Sequence, residues 1–136
     1  MGSLIILITL FLLPMAAVGE GVVEPNAAVR VEIISVIKSQ VAAFRQDDGV
    51  AAFSFASPTI RTKFGDASTF LAMVAAHYRP VYRPQRLEFL DLKSMEGRRV
   101  QRVMVIGPEG EFVMALYSMV RIDGRWRING CFLVRP

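Results

Sequence analysis

The chain has 136 residues, is 53% hydrophobic, and carries 16 Lys and Arg against 12 Asp and Glu, for a formal net charge of +4. One cysteine and one histidine exclude an intramolecular disulfide and the usual His and Cys zinc sets. The arginines are scattered, without the dense stripe or aromatic interleaving of a nucleic-acid face, so no nucleic-acid partner is expected.

The chain opens on LIILITLFLL at 4–13. This run, broken at Pro14, is shorter than the roughly 20 residues a membrane helix needs. Ala17-Val18-Gly19 supplies small residues at alternate positions, as a signal peptidase requires. Residues 1–19 therefore read as a signal peptide, 20–26 as a short linker and 27–136 as a single α+β domain, which places the protein in the periplasm or outside the cell. No membrane span is expected after cleavage. Because Met1-Gly2-Ser3 holds no Lys or Arg, retention of the segment as an anchor stays open beside cleavage.

Asn26 is placed to cap a helix over about 27–46, whose apolar positions Val29, Ile33, Ile37, Val41 and Phe44 recur at helical spacing. Gln40 lies on the same stripe, where its amide needs a partner: it either lines a cavity or cross-links to sheet backbone. Asp48 precedes Gly49-Val50-Ala51-Ala52-Phe53 and reads as the N-cap of a second helix. Asp47 cannot form a dyad with Asp48, since adjacent side chains point apart. An ion pair with an arginine such as Arg127 and a catalytic role are its two readings.

Ser57-Pro58 begins a short helix through Phe64, ending at Gly65. A third segment starts at Asp66 or Ser68, carries Phe70, Met73, Val74 and His77 on one stripe, and ends before Pro80. His77 is either a packed or rim histidine or a general base, imidazole being suited to proton transfer near neutral pH. In YRPVYRP, Arg79 and Arg83 each precede a proline and are biased toward extended geometry. That segment reads as the lead-in to an edge strand or as an anion clamp.

Four strands follow, RLEFLDLKSM, RVQRVMVIG, EFVMALYSMVRI and RWRINGCFLV, separated by turn signals at Glu96-Gly97, Pro108-Glu109-Gly110 and Asp123-Gly124. In the first, Leu87 and Phe89 alternate correctly but Leu90 and Leu92 take the opposite parity, which predicts a bulge and a curved sheet. In the third, Val113, Ala115, Tyr117 and Met119 form one apolar face and Phe112, Met114, Leu116, Val120 and Ile122 the other. One face packs on helices and the other needs a cover. The expectation is a two-fold homodimer through the sheet, with Val113, Ala115, Tyr117 and Met119 in the interface. Cys131 shares parity with Arg127 and Leu133, which points it at the outer sheet surface, as an inert rather than a reactive thiol.

Helices followed by a four-stranded meander make an α+β order. The run Gln40, Ala43-Phe44, Asp47-Asp48, Ala52-Phe53-Ser54, Ala56-Ser57-Pro58, Phe64-Gly65, Phe70, Met73-Val74, Tyr78 and the closing Asp123-Gly124-Arg125-Trp126-Arg127-Ile128 resembles the small exported bacterial proteins of domain of unknown function 4864. More distantly, the order resembles the nuclear-transport-factor-like superfamily, with its ketosteroid isomerase, SnoaL-like and scytalone dehydratase branches. That likeness implies helices packed on a strongly curved, cone-like four-stranded antiparallel sheet, and spans enzymes and binding modules alike.

An isomerase of that superfamily needs a carboxylate base opposite an oxyanion-stabilising acid, and the strands offer no such pair. The expected role is a non-enzymatic binding module for a small apolar or amphipathic ligand or a partner protein, with no cofactor and no metal. Gln40, Phe44, Phe53, Tyr78, Ser118 and Trp126 are the expected pocket residues. The alternative is a small hydrolyase or isomerase of the SnoaL-like type using His77 with Asp47.

Overall fold

A computed structural model describes Gly2 and residues 25–136. The expected signal peptide, and the linker up to residue 24, lie outside the described residues. Among those described, no helix is long and apolar enough to cross a membrane.

Helix α1 (Pro25–Arg45) lays Ile33 and Ile37 against the sheet, both fully buried, which stabilises the fold by on the order of 2 kcal/mol each. Asn26 stands inside the first turn rather than capping it, and its Oδ1 accepts from Arg99 Nη1 at 2.9 Å. Three caps were legible in the sequence. Asp48 accepts the Ala51 N–H at the start of α2 (Gly49–Ser54), Ser57 accepts from Ile60 at α3 (Pro58–Phe64), and Asp66 accepts from Thr69 at α4 (Ala67–His77). Gly65, at φ 82, closes α3 where a side chain would be strained.

YRPVYRP departs from expectation, because its residues Arg79–Tyr82 form a further helical turn, α5. Pro80 sits in the first turn, where no N–H is needed. Val81 is buried in the core against the sheet, and that burial outweighs the local bias toward extended geometry.

Strands β1 (Arg86–Met95), β2 (Arg98–Ile106), β3 (Phe112–Ile122) and β4 (Arg125–Val134) form an antiparallel sheet in the order β1-β2-β3-β4. Glu96-Gly97 and Asp123-Gly124 both take positive φ, as two-residue hairpin turns require. The predicted bulge falls between Phe89 and Leu92. Arg30 of α1 donates to the Phe89 and Leu90 carbonyls there, and the buried Gln101 donates to Leu90 as well. A second bulge, opposite Ser118 and Met119, lies in β4 at Asn129. Both bulges sit in edge strands, so they bend margins rather than the central β2–β3 ladder, and the sheet is not strongly curled, contrary to the cone-like expectation.

The β4 bulge also corrects the reading of parity. Beyond Asn129 the side-chain alternation is shifted by one, so Cys131 pairs with Tyr117 and packs on the core beside Leu133 and Trp126. Phe132 is the residue that faces out, 69% exposed. The strip expected to form a dimer interface is likewise reassigned: Val113, Ala115, Tyr117 and Met119 are all buried in the core under the helices. The uncovered face is that of Phe112, Met114, Leu116 and Phe132.

A second apolar cluster, of Ala43, Phe44, Ala52, Phe70 and Val74, is built among the helices alone. The Phe55–Ser57 link between α2 and α3 lies along β4: Ser57 N–H donates to Ile128 O at 2.8 Å and Ile128 N–H to Phe55 O at 2.9 Å. One stretch of an exposed edge is thereby paired.

Candidate functional site

The two apolar clusters do not close against each other completely. Between α1, α3, α4 and β4 lies a cleft of about 520 Å³, within the range that holds small molecules. α1 gives it Gln40 and Phe44, and α4 gives it Phe70, Met73, Val74 and His77. Its floor is Tyr117, Ile128 and Cys131 of the sheet, and Ile60 and Lys63 of α3 stand at one side. No carboxylate is among these lining residues.

Polar side chains stand among these apolar ones, Gln40, Lys63, His77, Tyr78, Arg98, Tyr117, Ser118 and Asn129. Gln40 is buried, and its Nε2 donates to the Ala52 carbonyl of α2 at 3.1 Å, so the cross-link runs to helix backbone rather than to the sheet. Tyr117 is 1% exposed, and its buried hydroxyl lies beside the Cys131 thiol. Burial holds that phenol well above its usual titration range, helped by the neighbouring Cys131. Cys131 is partly accessible as a residue, yet burial of its sulfur pushes the thiol up to about 12. Burial, then the same cysteine, also raises Tyr78. These groups are neutral hydrogen-bonding partners at neutral pH.

Of the six expected pocket residues, Gln40, Phe44, Tyr78 and Ser118 line the cleft. Phe53 is one layer behind it, packed on Phe70 with ring centroids 5.4 Å apart. Trp126 lines a neighbouring, smaller recess. The wall residues Lys63, Met73, Tyr117 and Cys131 were not anticipated. Their signal was faint, because Tyr117 and Cys131 join the cleft only once the faces of β3 and β4 are known.

His77 and Asp47 are not brought together. His77 is exposed at the cleft. Asp47, at φ 51 in the link from α1 to α2, accepts from the Tyr82 hydroxyl and, at 2.9 Å, from Arg83 Nη2. The Tyr82 hydrogen bond and then Arg83 hold its carboxyl below the usual carboxylate range. Arg83 stacks 3.9 Å over the Tyr82 ring and also donates to the Phe44 carbonyl. Asp47 is thus an ion-pair partner, as one reading expected, but of Arg83 rather than Arg127. Arg79 is paired to the exposed Glu109 at 3.5 Å, so both arginines of YRPVYRP have a carboxylate partner. No group of three or more His, Cys, Asp or Glu suited to a metal ion occurs among the described residues.

Residues 26–136 match the family described as domain of unknown function (DUF4864). Nothing matches among curated proteins or among solved structures.

Proposed function

We propose that this chain, which belongs to the DUF4864 family, is a non-enzymatic binding module whose cleft takes a small apolar or amphipathic ligand. The observation that carries this reading is the cleft itself, about 520 Å³, walled by Phe44, Ile60, Phe70, Met73, Val74 and Ile128 and lined by no carboxylate. Aromatic and aliphatic walls of this kind take an apolar body, and the polar side chains among them take its head. The hydrolyase alternative loses support, because Asp47 is held by Tyr82 and Arg83 and does not line the cleft beside His77.

Native mass spectrometry of the protein purified from its own host tests the reading, with Met73→Trp, which narrows the cleft, alongside. A small molecule that co-purifies with the natural chain and is lost from the variant is the expected result. A ligand-free chain that also fails to bind any long-chain alcohol or acid overturns it.

Export to the periplasm or beyond is part of the same proposal and rests on residues 1–19 alone. Intact mass of the exported form is expected to begin at Glu20, and a mass retaining 1–19 would make the segment an anchor. Placement within the nuclear-transport-factor-like superfamily rests on element order, helices before a four-stranded meander.

A second reading, a homodimer through the sheet, is favoured by the uncovered face. Phe112, Phe132 and Val134 are 43%, 69% and 49% exposed on it, around the partly covered Met114 and Leu116. Its occupant is taken to be a second copy of the chain, since a two-fold axis lets one apolar sheet face cover its own equivalent.

A further inference from the structure

We propose that the free edge of β4 takes an extended acidic peptide as an added strand. The backbone of β4 carries this inference, and only the seating of the peptide's apolar side chains rests on the cleft reading above.

β4 is the last strand of the sheet, with β3 on one side only. Its other edge is paired at a single point, where the Ile128 N–H donates to Phe55 O at 2.9 Å and the Ile128 carbonyl accepts from Ser57 at 2.8 Å. Both backbone groups of Ile128 therefore point away from β3. In an antiparallel pair that orientation recurs at every second position of the ladder. Ile128 stands opposite Met119, and the alternate residues Tyr117 and Ala115 of the unbroken β3 stand opposite Cys131 and Leu133. The N–H and C=O groups of Cys131 and Leu133 thus face the open edge, and among the described residues no backbone group beyond β4 bonds to them. A row of this kind is the template that strand addition uses.

Space for the strand lies beside it. The cleft runs along this edge, its lining including the consecutive residues Ile128 to Phe132 of β4. Gly130 has open space where a side chain would stand, which keeps one face of the edge clear. A peptide residue opposite Cys131 shares that residue's face of the sheet, which is the face toward the helices, so an apolar side chain there enters the cleft.

Charge selects the partner. Lys63 and Arg98 line the cleft, and no Asp or Glu does. β4 itself carries Arg125, Arg127 and Arg135, and no acid lies between residues 124 and 136. A second copy of β4 on this edge would bring only the same arginines to it, and like charges across a strand pair are destabilising. An acidic strand brings the opposite charges. The partner is thus an extended segment in which apolar residues alternate with Asp or Glu, about five residues of it spanning Gly130 to Val134.

The test uses the purified chain and a fluorescein-labelled peptide of alternating valine and glutamate, about eight residues long, read by fluorescence anisotropy. Two further versions carry N-methyl groups, one on the valine nitrogens and one on the glutamate nitrogens. One methylated version is expected to bind about tenfold or more weakly than the other, because only alternate N–H groups of an added strand face β4. The Cys131 and Leu133 N–H groups are expected to exchange with solvent in the free chain and to be protected in the complex. A peptide with lysine for glutamate should bind about tenfold more weakly, and Lys63→Glu, at an exposed position, should narrow that preference. Equal weakening by both methyl sets overturns the added strand, as does protection of Cys131 and Leu133 in the free chain at micromolar concentration, which would mark a second copy on the edge. Equal affinity for the two charge types, or a preference untouched by Lys63→Glu, overturns the acidic partner. Dodecanol that binds where no peptide does overturns the strand site and leaves the cleft reading standing. Peptide that binds where dodecanol does not removes the cleft reading and leaves the strand site, and failure of both probes removes both.

Discussion

The Ser57 hydroxyl donates to Asn129 Oδ1 across 2.8 Å and accepts the Ile60 N–H at 3.3 Å. One buried side chain therefore starts α3 and ties it to the bulge of β4, where the apolar cleft and the smaller recess meet. Ser57→Ala removes a cap, worth about 1 kcal/mol, and a buried hydrogen bond, worth about another 1 kcal/mol. The expected loss is about 2 kcal/mol by urea denaturation, the sum of those two contributions. Ligand binding should weaken further than stability alone explains, since the α3 wall loses its register on β4. A variant as stable as the natural chain would show that the backbone bonds of Ser57 and Ile128 fix this corner without the hydroxyl.

How much of this was legible depended on whether the signal was local. The caps at Asp48, Ser57 and Asp66 and the glycine turns could be read because each is decided within four residues. The bulge near Leu90 showed itself as a break in alternation. The bulge at Asn129 did not, because Ile128, Gly130 and Phe132 keep an unbroken even spacing while Gly130 has no side chain to betray its face. Missing it sent Cys131 to the wrong side. The choice between the two apolar faces of β3 was not legible at all, since both read as buriable and only the docking of α1 and α5 decides. The cleft inherits that ambiguity: Gln40 and Phe44 belong to a helix stripe visible in the sequence, whereas Tyr117 and Lys63 meet them only through tertiary packing.

Asp47 is lowered by Tyr82 and then Arg83, and the sign of its effect on stability follows. A carboxylate with a depressed folded pKa contributes stability that is present above its unfolded value, about 3.9, and lost as pH falls through the folded one. Asp47→Asn is therefore expected to be less stable than the natural chain at about pH 7 and to approach it below about pH 3. Urea midpoints at the two pH values measure this. A gap that does not shrink in acid would mean the tie works by shape rather than charge.

Cys131 gives a chemical test of the corrected sheet parity. The thiolate is the reactive form, and with its thiol pushed up to about 12 almost none exists near neutral pH. Because the folded value is raised, the protonated form carries the stabilisation, which is present below the unfolded value of about 8.5 and lost as pH rises toward the folded one. Alkylation by iodoacetamide at about pH 8 is expected to be slow in the native chain and fast in urea. Fast native labelling would place the sulfur back on the open face of the sheet.

The uncovered face yields the last prediction. Leu116 pairs with Phe132, Met114 with Val134 and Ile106 with Phe112, so apolar side chains of three neighbouring strands form one continuous strip with no helix above it. Strips of this kind mark contact surfaces, and a two-fold axis is the simplest way for one chain to cover its own. The expected species in light scattering at micromolar concentration is a dimer. Phe112→Glu combined with Val134→Glu should yield a folded monomer, because neither residue belongs to the buried core or lines the cleft, and its affinity for a cleft ligand should be unchanged. Met119→Arg cannot serve this purpose, since Met119 is buried beneath the helices and an unpaired charge there unfolds the chain rather than parting two copies. A monomeric natural chain would remove the homodimer, and a dimer that survives both glutamates would move the contact to another surface.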